Sequence, residues 1–302
     1  MTQGDEVLEW ARREIDGAER VSDHSRTHGG HESSTRRIKT SECYAYLKTH
    51  SSRSHWEAEV HGYEQWAHVF GENAPRLLAV KSSEPYALII TELRGSILED
   101  MELEPDRERS VWRAAGAALP PLHDLPSGSH FGGTDRFGVC AGDAASDPIV
   151  CLTNRYTEQI EQASRAGYLS DDELKTVHAA RELIPSFSGE RPTACHRDYC
   201  AANWLVDDQG AWAGVIDFEF SRWDLRVADF TRDAHWSWIR RPELVEAFFE
   251  GYGRRPTGEE EKQMLVAHTE YALGAIVWGH ENAFYGFEQE GRDALLHLSR
   301  DL

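Results

Sequence analysis

Residues 195–204 read CHRDYCAANW, and residues 215–220 read VIDFEF. In the first stretch Asn203 follows Asp198 by five residues, and Asp217 follows Asp198 by nineteen. The pieces NWLV and AGVIDFEF are joined by the polar DDQG, which predicts a small β-hairpin. Asn203 would open one strand of that hairpin and Asp217 would close the next, so the hairpin brings the two side chains together.

Two aspartates and an asparagine at this spacing suit the transfer of a phosphoryl group. That reaction needs a base at the acceptor hydroxyl, metal ions on the nucleotide phosphates, and a lysine held by an acid. In kinases the aspartate of His-Arg-Asp is the base, and the asparagine and second aspartate bind the metal. We therefore predict Asp198, Asn203 and Asp217 as catalytic residues, with Asn203 and Asp217 as ligands of Mg²⁺.

A lysine and a glutamate in the first third of the chain fit the phosphate-binding part of this scheme. The alternation in CYAYLKTH predicts a strand that ends near Lys48, and the apolar spacing of HWEAEVHGYEQWAHVF predicts a helix. Glu59 lies near the core-facing edge of that helix, so we predict a Lys48–Glu59 pair. Glu57 and Glu64 are alternative partners.

A glycine pair before these strands is a candidate phosphate loop. The stretch HGGHESS contains Gly29, Gly30 and Ser33, and backbone amides in such loops can bind phosphate. A Gly-Gly pair is equally compatible with an ordinary turn, so both interpretations stay open.

Composition limits the remaining functions. The chain has 302 residues with 52 acidic and 32 basic side chains, a formal charge of −20. This charge disfavours nucleic acid and anionic membranes as partners. It favours a cationic small substrate, although it equally serves solubility. No apolar run of membrane-spanning length and no secretion signal is found. The five cysteines form no CxxC pair, so we expect a cytoplasmic protein without a disulfide framework.

Together these residues resemble the aminoglycoside phosphotransferase family, the small-molecule branch of the protein-kinase-like fold. The likeness runs through AYLKTH, LIITELRG, CHRDYCAANWLV, GVIDFEFSRWDLRVADF and the closing ALGAIVWGHENAFYGFEQEGRDAL, and covers nearly the whole chain. The chain departs from the family at Arg197, where glycine or asparagine is usual. The prolines of LPPLH also fall where the family has an unbroken helix, so that helix should end early or kink.

The resemblance implies an α+β, bilobal kinase-like fold. Residues 1–94 would form a small, β-rich nucleotide-binding lobe with one key helix, and residues 95–302 a larger, mainly helical lobe. It also implies that Lys48 contacts the phosphates of ATP, with GTP not excluded. The backbone of Glu92, Leu93 and Arg94 would read the purine as a hinge. His196 would hold the catalytic loop and Asp229 would brace it.

The acceptor is predicted to meet the C-terminal helices while its hydroxyl reaches Asp198. Aromatic and acidic side chains there suit a polyhydroxylated or cationic molecule, and we predict contacts with Trp278, Glu281, Tyr285 and Glu288. The same residues are also compatible with an aromatic core and a solvated acidic face.

The first functional interpretation is an ATP- and Mg²⁺-dependent phosphotransferase that inactivates an antibiotic, acting as a monomer or homodimer. A metabolite kinase of the choline, sugar or amino-acid type is the alternative. A protein kinase fits less well, because no glycine follows Asp217-Phe218. An inactive pseudokinase would be expected to lack one of Lys48, Asp198, Asn203 or Asp217, and all four are present.

Overall fold

The computed structural model describes residues 3–23, 33–142 and 144–302. Its strands are β1 (Glu19–Asp23), β2 (Ser33–Lys39), β3 (Tyr44–His50), β4 (Leu77–Lys81), β5 (Tyr86–Thr91), β6 (Ser96–Ile97), β7 (Thr193–Cys195), β8 (Trp204–Val206), β9 (Trp212–Val215) and β10 (Arg222–Asp224). Its α-helices are α1 (Gln3–Glu14), α2 (Arg53–His61), α3 (Pro105–Ala118), α4 (Pro120–His123), α5 (Pro148–Ala166), α6 (Asp171–Arg181), α7 (Pro242–Tyr252), α8 (Gly258–Glu281) and α9 (Tyr285–Leu298). Shorter helical turns cover 62–66, 67–73, 98–100, 184–187, 226–230 and 234–239.

The N-terminal part is an antiparallel sheet in the order β1-β2-β3-β5-β4. Side chains alternate between the two faces of a strand, and β5 shows this directly. Ala87 and Ile89 belong to a small core with Trp10 of α1, whereas Leu88 belongs to the main core with Trp56 of α2. Both faces of the sheet are therefore covered by helix.

The C-terminal part is mainly helical, and local sequence signals explain where its helices begin. Proline occupies the first turn of α3, α5 and α7, where its missing N–H costs no hydrogen bond. Capping boxes open α6 at Ser170 and α8 at Thr257. The main packed pairs are α3 with α7 and α8 with α9, around a core rich in aromatic rings.

Most sequence-based predictions of the fold are confirmed. The α+β class, the β8–β9 hairpin and the break of helix at Pro120 are all found. Two details differ. The strand with Lys48 continues to His50, and the following helix changes to a π-helical turn at 62–66 and a 3₁₀ turn at 67–73. Within the described part of the chain, no helix has both the length and the hydrophobicity needed to cross a bilayer.

Candidate active site

The β8–β9 hairpin places Asn203 and Asp217 at one end of a two-stranded ladder. Trp204 pairs with Val215, and the next backbone bond runs from Ile216 N–H to the carbonyl of Asn203 at 3.0 Å. Asp217 follows at once with a φ of 70°, a left-handed conformation that turns the chain out of the strand. The predicted metal ligands therefore lie beside one another.

Asp198 is held by the side chain of Asn203. The amide nitrogen of Asn203 donates to the Asp198 carbonyl at 2.9 Å and to its carboxylate Oδ2 at 2.6 Å. The other carboxylate oxygen, Oδ1, forms an ion pair with Nε of Arg232. The carboxylate of the predicted base is thus fixed on both sides.

The backbone before Asp198 is fixed by Asp229, which is fully buried. Its carboxylate accepts hydrogen bonds from the backbone N–H groups of His196 at 3.0 Å and Arg197 at 2.5 Å. It also bonds to the ring of His123 at 3.0 Å, and that ring bonds to the hydroxyl of Tyr252. A buried carboxylate that receives several hydrogen bonds makes a rigid support, so Asp229 braces the loop.

Arg197 has a structural function of its own. With a φ of 69°, it directs its guanidinium to Asp224 at 2.9 Å. Buried Asp224 also receives Arg155 at 3.0 Å and Arg222 at 2.8 Å, and Arg155 binds Glu270 with both of its remaining nitrogens. Burial opposes ionisation of Asp224, but the three guanidinium groups outweigh it and hold its pKa well below the usual range.

Lys48 is the centre of a second charged group. Its buried ammonium lies 2.7 Å from Glu59, 2.8 Å from Asp217 and 3.6 Å from Glu219. The two alternative partners are engaged elsewhere, since Glu57 binds Arg53 and Glu64 binds Arg136. Lys48 therefore links the helix that carries Glu59 to the hairpin end that carries Asp217.

The charges in this group are set by burial and mutual attraction. Burial acts to lower the pKa of Lys48, but Asp217 and Glu59 raise it well above the ordinary value. Burial likewise opposes ionisation of Asp217, yet the ion pair with Lys48 brings its pKa below the usual range. Burial and the nearby charge of Asp217 raise the pKa of Glu219 to about 8. Mutual attraction thus favours the charged forms of Lys48 and Asp217, whereas burial favours the protonated form of Glu219.

The helix with Glu59 approaches the Asp217 turn closely. A Cβ at Gly62 would lie 2.7 Å from Oγ of Ser221 and 2.9 Å from Cβ of Phe218. Ser221 also donates to the carbonyl of Ala58 at 3.2 Å. Only glycine leaves room for this contact, which keeps Glu59 within reach of Lys48.

The donor set suits Mg²⁺, which prefers carboxylate and amide oxygens. Both donor bonds of Asn203 go to Asp198 through Nδ2, and its Oδ1 receives no hydrogen bond from the described residues. Asp217 uses Oδ1 for Lys48, while no described group bonds to its Oδ2. Asn203 and Asp217 each therefore keep one oxygen for a metal ion.

The predicted hinge connects β5 to β6. Glu92 N–H donates to the carbonyl of Tyr44 at 3.3 Å, and its carboxylate binds Arg37 of β2 through two bonds. The backbone groups of Leu93 and Arg94 form no backbone hydrogen bond within the described ranges. A hinge that reads a purine needs such groups. Of the predicted phosphate loop, Ser33 begins β2 near Glu219, whereas Gly29 and Gly30 lie outside the described residues.

A cavity of about 190 Å³ lies next to the catalytic loop. Its walls come from the loop, from the segment after Asp229 and from three helices, and they include Gln159, Arg197, Arg232, Glu270, Tyr271 and Phe287. The one carboxylate among these walls, Glu270, is bound at both oxygens by Arg155. The cavity is thus lined by paired charges and aromatic rings.

The predicted acceptor residues on the C-terminal helices do not line this cavity. Trp278 packs against Phe287 with ring centres 5.6 Å apart. Glu288 binds Arg292 at 2.7 Å, and Glu281 accepts from Gln162 at 2.9 Å. Tyr285 is 68% exposed.

Sequence reasoning missed Arg232 and Phe287 among the lining residues. Arg232 lies three residues beyond Asp229, in the stretch VADFTR. The signal in the sequence was its nearness to Asp229, because the helical turn Arg226–Phe230 that carries Asp229 lies against the catalytic loop. A single contact between side chains far apart in the sequence leaves no periodic pattern of residues, so it cannot be predicted from hydrophobic spacing.

Glu290 gives a pH-dependent prediction for this part of the molecule. It is buried, its Oε1 accepts from the backbone of His235 at 2.8 Å, and burial together with nearby Asp233 raises its pKa from 4.5 to about 7. A raised acid pKa means that stability is fully present below the unfolded pKa and falls as pH rises towards the folded one. We expect Glu290→Gln to raise the melting temperature, relative to wild type, by a few degrees more at about pH 8 than at about pH 5.

Thermal melts at the two pH values check this expectation. Exposed Glu261 at the start of α8 provides the matched control. The difference in melting temperature between Glu261→Gln and wild type should be the same at both pH values. An equal effect of Glu290→Gln at both pH values would mean that Glu290 is ionised throughout.

Comparisons with known proteins show the family and the fold of the chain. The family model described as "Phosphotransferase enzyme family" matches residues 23–265. A search of curated proteins finds no match. Among solved structures, a thermostable mutant of aminoglycoside phosphotransferase APH(4)-Ia with AMP-PNP and hygromycin B is similar at TM-score 0.75 and 14% identity, over 97% of this chain and 98% of that one. The GDP and kanamycin complex of APH(2")-IIia is similar at TM-score 0.69 and 13% identity, over 99% of both chains.

At such identities the two structures establish the fold. The family model spans most of the sequence, from β1 to the first half of α8, and includes the hairpin, the loop with Asp198 and the strand with Lys48. The chain therefore belongs to the phosphotransferase enzyme family.

Proposed function

We propose that this phosphotransferase transfers the γ-phosphoryl group of ATP to a hydroxyl of a small antibiotic and so inactivates it. One observation carries the proposal: Lys48 ties Glu59 to Asp217, and Asn203, next to Asp217 at the hairpin end, holds Asp198. This arrangement supports a single site that combines a phosphate-binding pair, two metal ligands and a base.

In the proposed reaction each group has one task. Asp198 accepts the proton of the acceptor hydroxyl, Lys48 steadies the nucleotide phosphates, and Asn203 and Asp217 hold Mg²⁺. The metal, when bound, neutralises charge on the phosphates. The backbone at Glu92–Arg94 would bind the purine between residues 1–94 and 95–302. The acceptor hydroxyl would enter through the cavity lined by Tyr271 and Phe287.

The antibiotic assignment draws on what related folds bind. The solved structures named above contain hygromycin B and kanamycin with their nucleotides, and a further one, a complex of APH(2")-IIa at TM-score 0.64 and 15% identity over 98% of this chain and 97% of that one, contains streptomycin and ATP. A metabolite kinase is the alternative, since both classes share the catalytic groups described above.

A panel assay separates these possibilities. Purified protein is incubated with Mg²⁺ and either ATP or GTP, and with aminoglycoside, peptide and nucleoside antibiotics, choline, sugars and amino acids. Nucleoside diphosphate release and mass spectrometry detect the added phosphoryl group. We expect an antibiotic to be phosphorylated. Phosphorylation of metabolites alone would contradict the antibiotic assignment, and no turnover with any acceptor would contradict phosphoryl transfer itself.

The charge of the acceptor is tested separately. If the acceptor is cationic, its KM should rise with salt, because the chain carries a charge of −20 and screening weakens long-range attraction. Because Glu281 lies outside the cavity walls, it acts on the acceptor only through this long-range attraction. Glu281→Gln should therefore raise the acceptor KM at low salt, with less effect on the KM for ATP. Glu281 is a sharper choice than Glu288, whose replacement also removes the ion pair with Arg292. A flat salt response with an unchanged KM would contradict a cationic acceptor.

A further inference from the structure

Arg232 is the group that connects the catalytic loop to the acceptor cavity. Its Nε forms an ion pair with Oδ1 of Asp198, on the side of the carboxylate opposite to Asn203. Arg232 and Asn203 thus contact the two oxygens of the carboxylate. The guanidinium also belongs to the wall of the cavity of about 190 Å³.

The C-terminal helices hold Arg232 in this place. Its Nη1 donates to the hydroxyl of Tyr271 at 3.2 Å, and that hydroxyl in turn donates to Asp233 at 3.1 Å. The guanidinium carbon lies 5.4 Å from the ring centre of Tyr271 on α8 and 5.2 Å from that of Phe287 on α9. These distances are within the range of cation–π attraction. One side chain thus contacts the predicted base and both helices of the cavity wall.

Two interpretations of this contact predict opposite changes in the transfer rate when Arg232 is removed. If Arg232 blocks Asp198, its removal should increase transfer. If it orients Asp198, its removal should decrease transfer. The second interpretation fits the structure better, because a carboxylate fixed from both sides by Asn203 and Arg232 still has oxygen lone pairs available to an acceptor hydroxyl.

We propose that Arg232 is a positioning residue for phosphoryl transfer, which holds the Asp198 carboxylate towards a hydroxyl bound in the cavity between α8, α9 and the catalytic loop. The inference rests on the proposed function. In the reaction, a bond forms between the acceptor oxygen and the γ-phosphorus, the bond from that phosphorus to the oxygen of ADP breaks, and the hydroxyl proton passes to Asp198 and then to water. Arg232 keeps its own protons throughout.

The test compares Arg232→Ala and Arg232→Lys with a matched control, Arg241→Ala. Like Arg232, Arg241 forms ion pairs with carboxylates, in its case those of Glu108 and Glu243. Its side chain is 40% exposed against 30% for Arg232. The rates measured are ATP consumption with each acceptor that the panel assay identifies, and phosphate release with water as the acceptor. Thermal melts and ADP titrations verify folding and nucleotide binding.

We expect kcat to fall about 100-fold in Arg232→Ala, the order of loss caused by misplacing a catalytic group. The KM for ATP should stay within about twofold of wild type, since the nucleotide groups are untouched. Millimolar guanidinium should restore part of the rate in Arg232→Ala, whereas uncharged urea at the same concentration should not. Arg232→Lys should be intermediate, and Arg241→Ala should behave as wild type.

A second variant covers the case in which Arg232→Ala does not fold. Tyr271→Phe keeps the ring and removes the hydroxyl that holds Nη1, so a smaller fall in kcat is expected. The inference is overturned if the Arg232 variants match Arg241→Ala, if their rate rises, or if guanidinium restores nothing. A wild-type protein that turns over no ATP with any acceptor, water included, overturns the proposed function instead.

Discussion

Asp198→Ala is expected to lower the rate of phosphoryl transfer by roughly 10²–10⁴-fold, while nucleotide affinity stays unchanged. That range is the contribution of general-base catalysis, and Asp198 acts on the acceptor hydroxyl. Its carboxylate contacts Asn203 and Arg232, with no contact to Lys48 among the described residues. Single-turnover rates and ADP titrations by calorimetry measure the two quantities separately.

The control for this variant lies in the same hairpin. Asp208 is an exposed aspartate in the turn between β8 and β9, so Asp208→Ala should keep wild-type transfer and wild-type binding. Turnover in Asp198→Ala comparable to that of Asp208→Ala would remove Asp198 from the role of base.

Asp217→Ala should weaken nucleotide binding and also lower the rate of phosphoryl transfer. Its carboxylate neutralises Lys48 at 2.8 Å and keeps one oxygen for a metal ion. The loss of a metal ligand should raise the Kd for the magnesium–nucleotide complex about tenfold or more, because the metal bridges the phosphates to the protein. The rate at saturating nucleotide should fall as well, since transition-state charge is no longer neutralised.

Magnesium itself provides the internal control for this second prediction. Binding of ATP is titrated with Mg²⁺ and with a chelator in both proteins. Wild type should gain affinity when Mg²⁺ is added, and Asp217→Ala should gain much less. Equal affinities of the two proteins at saturating Mg²⁺ would contradict the assignment of Asp217 as a metal ligand.

Local patterns in the sequence predicted the parts of the site that depend on neighbours in the chain. The hairpin places Asn203 next to Asp217 because its turn and its strand lengths are short and regular. Helical spacing put Glu59 on the core-facing edge, where the structure finds it paired with Lys48. In both cases a short-range rule, the period of a strand or a helix, fixes where a side chain points.

Contacts between distant segments were not predictable in this way. In the sequence, β8, β9 and β10 lie between Asp198 and Arg232, which form an ion pair in the structure. Tyr271, which bonds to Arg232, lies further along the chain on α8. The acceptor residues were chosen for their composition, and composition does not say which face of α8 or α9 meets the cavity. Trp278 packs beside Phe287, but Phe287 is the one that lines the wall.

The support of the catalytic loop by Asp229 has a consequence for folding. Asp229 joins the backbone of His196, 33 residues earlier, to the ring of His123, 106 residues earlier. Such contacts form late, because closing long loops costs chain entropy before the contact stabilises anything. During refolding from denaturant, helix content should therefore recover before enzymatic activity does, and the return of activity should report the final assembly of the C-terminal part.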